Sequence, residues 1–101
     1  MAEFNYPKKV TIGDITVRDG FQHEEKFIST EAKIWLSEQL LLAGFKHIEV
    51  TNMGNPKGMP QFRDADEVFK GIRKSKKIAH LLPEVKLTAV TIRERAIERA
   101  I

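Results

Sequence analysis

An arginine and an aspartate stand side by side at Arg18-Asp19, followed by Gly20, Phe21, Gln22, His23, Glu24 and Glu25. A carboxylate so placed suits a hard divalent ion such as Mg²⁺, which takes oxygen ligands and keeps open water positions. A guanidinium beside it can hold the charge that develops on an enolate or a carboxylate. Further along the chain stands Glu49, with Thr51 and Asn52 after it. In a strand, Glu49 and Thr51 share one face, so both point inward if either does. A carboxylate turned inward requires a partner, and Arg18 on a neighbouring strand is the candidate. Each group also has an ordinary reading. Arg-Asp-Gly makes turns at many strand ends, and a lone strand glutamate usually faces water. Their occurrence at two successive strand ends is what raises the chemical reading.

The elements that would position these groups are legible as an alternation. Val10 to Val17 is rich in β-branched residues and reads as a strand, and a polar loop runs from Arg18 to Ile28. Ser29 or Thr30 offers a helix cap, Glu31 complements the helix dipole, and Gly44 stands where a terminating glycine belongs. Within this helix Ala32, Trp35, Leu36, Leu40 and Ala43 share a face. Ile34, Leu41 and Leu42 fall off it, so the helix is expected to pack on two sides. Trp35 and Phe69 read as core. Phe45 to Thr51 is a second strand, and a breaker-rich loop follows from Asn52 to Pro60. Asp64 to Glu67 resembles a capping box, opening a helix whose apolar residues are Ala65, Val68, Phe69 and Ile72. Ile78 to Leu82 reads either as that helix's tail or as a turn stopped by Pro83. Lys86 to Ile92 is a third strand, and Arg93 to Ile101 begins a third helix. The order β-α-β-α-β-α argues a parallel sheet with helices outside it. Three strands cannot close such a sheet, and so few helices cannot cover both its faces. Residues 1–101 are therefore expected to be a single partial α/β domain.

Composition narrows the function classes. Seventeen Lys+Arg oppose fourteen Asp+Glu, and 42% of residues are hydrophobic, as in a globular chain. No run approaches the roughly 18 apolar residues a membrane-spanning helix requires, and no membrane partner is expected. Met1-Ala2-Glu3-Phe4-Asn5-Tyr6 carries an acid and no apolar run, so no secretory leader is expected. The absence of cysteine excludes disulfides, thiolate metal sites and a cysteine nucleophile, and is compatible with the cytoplasm. The basic run Arg73-Lys74-Ser75-Lys76-Lys77 fits a helix C-terminus, and it lacks the interleaved aromatics of a nucleic-acid surface. Nucleic acid is not expected as a partner. His47 and His80 read as surface residues, and His23 as a solvated loop or pocket residue.

The run Thr16-Val17-Arg18-Asp19-Gly20-Phe21-Gln22-His23-Glu24 resembles the Arg-Asp-Gly-Leu-Gln-Asn-Glu signature of the 3-hydroxy-3-methylglutaryl-CoA lyases. The likeness continues through Ser29-Thr30, Ala43-Gly44, Ile48-Glu49, Pro56-Lys57, Pro60-Gln61, Glu67-Val68 and Lys70-Gly71-Ile72. Several motifs in the right order are far more specific than Arg-Asp-Gly alone. The wider group is the DRE-TIM metallolyases and Claisen-type synthases, which share a pyruvate carboxyltransferase-type domain. The resemblance implies the N-terminal βαβαβα portion of a TIM (β/α)₈ barrel, incomplete as a barrel. It also implies that Asp19 ligates a divalent metal, Mg²⁺ or Mn²⁺, and that Arg18 stabilises an enolate-like intermediate. By the same likeness, Gln22 lines the substrate pocket with Arg18, and Glu49 completes the set by holding Arg18. The implied chemistry makes or breaks a carbon–carbon bond beside a carbonyl of an acyl-CoA or 2-oxo acid.

The departures are specific. The family's His-x-His metal pair has no counterpart, because His23, His47 and His80 are scattered. The late glycine-rich loop and its cysteine are absent. Asn52-Met53-Gly54 stands where the lyases show Ser-Phe, and His23 stands in place of Asn. With Asp19 the only metal ligand, the expectation is little or no lyase activity from the 101 residues alone. The alternative expectation is a self-associating interaction module, with open sheet edges and the two-sided helix driving homo-oligomers.

Overall fold

The computed structural model describes residues 5–101. The first four residues, on which part of the expectation about a leader falls, lie outside that range. Strand β1 is Gly13–Asp14, helix α1 is Thr30–Leu42, β2 is His47–Asn52, α2 is Ala65–Lys74, β3 is Lys86–Val90 and α3 is Glu94–Ala100. The strands form one parallel sheet in the order β1-β2-β3. It is open, and the connections are the βαβ crossovers that parallel pairing demands. The alternation expected from the sequence is therefore the fold, an incomplete portion of a barrel.

β1 is much shorter than the Val10–Val17 strand expected from composition. The Asp14 carboxylate accepts the Thr16 amide at 2.8 Å and the Thr16 hydroxyl at 3.0 Å. That local bonding competes with a strand ladder, and the chain turns at once into a single π-helical turn, Thr16–Gly20. Val10 and Ile12 are left exposed.

Helix α1 begins where Ser29 Oγ accepts the Ala32 amide. It ends in a paired closure in which the Gly44 amide reaches Leu41 O and the Phe45 amide reaches Leu40 O. Gly44 holds φ +110°, a conformation that disfavours any side chain. The expected apolar face is not the buried one. Trp35 is 56% exposed and Ala32 and Ala43 are also at the surface, whereas Lys33, Ser37, Glu38 and Leu41 are buried. Apolar residues surround this helix, so their spacing did not single out a face. Phe69 on α2 is half-buried against the core.

The core lies between the sheet and the two long helices, where Leu41, Ile48, Val50, Val68, Ile72 and Ile78 pack together. Ile78 belongs to a turn after α2 and not to its tail. Gly71 lets α2 approach α1: a Cβ there would lie 2.1 Å from Ile34 Cδ1. His47, expected at the surface, is half-buried with Nε2 3.2 Å from Thr88 Oγ1. The β2–β3 register slips between Glu49 and Thr51, which pair with Thr88 and Ala89. Val50 is thereby an extra residue in β2 beside the site.

Candidate functional site

The π-helical turn after β1 and the middle of β2 bring Arg18 and Glu49 together. Arg18 Nε donates to Glu49 Oε2 at 2.9 Å, and Nη2 lies 2.9 Å from the same oxygen as an ion pair. Its remaining nitrogen, Nη1, donates to Asp19 Oδ1 and to Gln22 Oε1, each at 3.1 Å. One guanidinium thus engages three side chains, Glu49 on β2, Asp19 in the π-helical turn and Gln22 just past it. Arg18 and Glu49 are each about one-fifth exposed, whereas Asp19 is nearly half exposed. Guanidinium–carboxylate bonds of this kind are stronger than neutral ones and fix geometry as well as energy. Asp19 is presented toward solvent while Arg18 is held by the sheet.

Beside this cluster lies a cleft of about 390 Å³, walled by the loop carrying Gln22, Glu24, Glu25 and Phe27 and by residues 58–63. Gln22 belongs to both, bonded to Arg18 and facing the cleft. His23 is exposed and makes no part of the cluster. Among the described residues no group of three His, Asp, Glu or Cys side chains could hold a metal ion. Asp19 therefore offers a hard oxygen ligand without companions among the described residues.

The floor of the cleft rests on a group that no sequence pattern announced. Lys33 is buried on α1, with Nζ 2.7 Å from Asp64 Oδ1. The same ammonium donates to the Gln61 carbonyl and lies 4.4 Å from the centre of the Phe27 ring. Burial lowers the Lys33 pKa, outweighing the opposing pull of Asp64. Asp64 Oδ2 accepts the Thr30 hydroxyl at 2.7 Å. Asp64 therefore does not cap α2 with its side chain as expected, because both its oxygens serve α1. A helix lysine ordinarily reads as solvated, so Lys33 carried no signal. Pro60-Gln61 did carry one, within the family likeness.

A parallel sheet with outer helices, and a guanidinium–carboxylate cluster joining the turn after β1 to the middle of β2, define a (β/α)-barrel-type chain. Residues 9–101 match the family described as HMGL-like, and the chain belongs to that family. Hydroxymethylglutaryl-CoA lyase YngG of Bacillus subtilis is 40% identical over 96 residues, covering 95% of this chain and 30% of that protein. The crystal structure of hydroxymethylglutaryl-CoA lyase from Pseudomonas aeruginosa superposes with a TM-score of 0.79 at 36% identity, covering 93% of this chain and 29% of that one. An HMG-CoA lyase from Acinetobacter baumannii in complex with coenzyme A and 3-methylmalate gives a TM-score of 0.76 at 31% identity, covering 89% and 27%. The chain thus spans about 30% of the length of the relatives it matches. No helix among the described residues is long and apolar enough to cross a membrane.

Proposed function

We propose that this chain supplies the guanidinium part of a carbon–carbon lyase, or of its Claisen-type synthase relative, acting on an acyl-CoA or a 2-oxo acid. The observation that carries the reading is the locked Arg18. With Nε and Nη2 committed to Glu49, the group cannot swing away, and its Nη1 edge faces the Asp19 and Gln22 side of the site. A cation fixed in advance stabilises the oxygen of an enolate without reorganising when charge develops. Glu49 is then a positioning residue, and Gln22 orients the substrate from the cleft wall. Asp19 would hold Mg²⁺ or Mn²⁺ through a carboxylate oxygen, and that ion, when bound, would polarise a carbonyl. The further ligands lie outside the described residues, so the 101 residues alone give little or no turnover. The cysteine-free chain suits a cytoplasmic setting. Exposed Val10, Trp35 and Ile92 favour homo-oligomers, which light scattering on the same samples reads directly.

The test exchanges residues 9–101 into the matching segment of the Bacillus lyase and assays cleavage with Mg²⁺ or Mn²⁺. A folded chimaera is expected to turn over, and Arg18→Lys is expected to lower kcat by roughly 100-fold. Undiminished kcat in folded Arg18→Lys sinks the assignment. Robust turnover by the isolated chain sinks the claim that it is insufficient.

A further inference from the structure

The side chain of Gln61 spans the cleft's two walls. Its Nε2 donates to the Glu24 carbonyl at 3.1 Å and to the Lys26 carbonyl at 2.8 Å, and its Oε1 accepts the Ile28 amide at 2.8 Å. One primary amide thus satisfies three backbone groups of the loop between the π-helical turn and α1. That loop has no ladder of its own; inside it the Glu24 amide donates to the Phe21 carbonyl at 3.1 Å. Gln61 is itself seated from below, because its carbonyl accepts the buried Lys33 ammonium. The Lys33–Asp64–Thr30 group ties that seat to the first turn of α1.

We propose that Gln61 is a positioning residue of the Arg18 site, its side chain standing in for a missing strand and holding the 24–28 loop so that Gln22 reaches Arg18 and the cleft keeps its width. The loop is anchored at one end by the Gln22–Arg18 bond and at the other by the Ser29 cap of α1. Between these anchors, among the described residues, the side-chain bonds to its backbone come from Gln61. Releasing them loosens the backbone that carries Glu24 and Glu25 and leaves the Arg18–Glu49 pair on the sheet untouched. Phe27 keeps its ring contacts with Lys33 and Arg63. Gln61 therefore acts on how substrate is received more than on the charge that stabilises the reaction. This last step rests on the reading of the cleft as the substrate's entrance.

Two variants separate its roles. Gln61→Glu keeps the acceptor for Ile28 and loses both donors, whereas Gln61→Leu loses all three bonds. Hydrogen exchange by NMR on the 101-residue chain is expected to show Ile28 protection roughly 3- to 10-fold lower in Gln61→Leu and retained in Gln61→Glu, the span one ordinary hydrogen bond supports. Trypsin is expected to cut at Lys26 faster in both. Core amides such as Ile48 and Ile72 are expected to keep their protection. Equal Ile28 exchange in all three proteins, or a parallel loss at every amide, overturns the proposal. In the chimaera, Gln61→Leu is expected to raise KM for the acyl-CoA several-fold more than it lowers kcat. An active chimaera whose KM is unmoved overturns the positioning role. A folded but inactive chimaera with the exchange pattern intact overturns the lyase reading and leaves the loop-holding role supported.

Discussion

The Lys33–Asp64 pair is the part of this fold most sharply exposed to test. Both side chains are buried, with Lys33 only 2% and Asp64 9% exposed. Removing one partner from such a pair strands the other charge, at a cost of about 3–5 kcal/mol. Asp64→Asn falls near the lower bound, at about 3 kcal/mol, because Lys33 keeps the Gln61 carbonyl and the Phe27 and Phe62 rings. Lys33→Met costs about 2 kcal/mol, since Asp64 retains the Thr30 hydroxyl. The double variant Lys33→Met/Asp64→Asn removes both charges and fills the same space. It is expected to be more stable than the sum of the singles by about 2–3 kcal/mol. Urea unfolding at neutral pH, followed by far-UV circular dichroism, gives each value from the midpoint at constant slope. An ordinary domain holds only about 5–15 kcal/mol in all, so each single variant shifts the midpoint visibly. Additivity within about 0.5 kcal/mol would refute the buried pair, because two solvated charges couple that weakly.

Two further outcomes are expected. The folded Lys33 pKa lies below the ordinary 10.5, so between those two values the unfolded chain binds more protons, and stability rises with pH across that window. Below the folded value the cost of the buried charge is constant and fully present. Urea midpoints of the native chain and of Lys33→Met, compared from neutral pH to about 10.5, should therefore diverge upward for the native chain, and parallel curves would contradict the burial. Gly71→Ala should gain about 1 kcal/mol of helix propensity and lose more, about 1–3 kcal/mol, to the collision with Ile34. A net loss eased in part by Ile34→Val, which removes Cδ1 and leaves Cγ1 2.9 Å from the new Cβ, is the expected thermal-unfolding result, and a net gain of about 1 kcal/mol would deny the close approach.

The Arg18–Glu49 contact was legible because an inward carboxylate needs a cation. The alternation expected to put Glu49 and Thr51 on one face is interrupted by the extra residue Val50, since they pair with the consecutive Thr88 and Ala89. The parallel order followed from the strand–helix rhythm, and Gly44 from the conformation a helix stop demands. What stayed hidden depended on choices between local and distant bonds. Asp14 bonded to Thr16 and shortened the first strand, although the β-branched residues on either side of Gly13-Asp14 favoured extension. Asp64 looked like a cap and was drawn instead to Lys33 and Thr30 on another helix. Trp35 reads as core because its spacing puts it on one face with Ala32, Leu36, Leu40 and Ala43, yet α1 turns Lys33 and Ser37 inward. That rotation follows the polar group at the α1–α2 junction, which no count of apolar spacing can register.

The amide of Gln61 touches only main-chain atoms of the loop it holds. A contact of that kind is blind to side chains and sensitive to length. The residues at 24, 26 and 28 are free to exchange one for another, and the surface they present to a visitor can be rewritten at little cost to the loop's course. Adding or removing one residue between them would put the three anchor points out of step at once. Among descendants of this chain, variation here should therefore arrive as substitution and not as insertion.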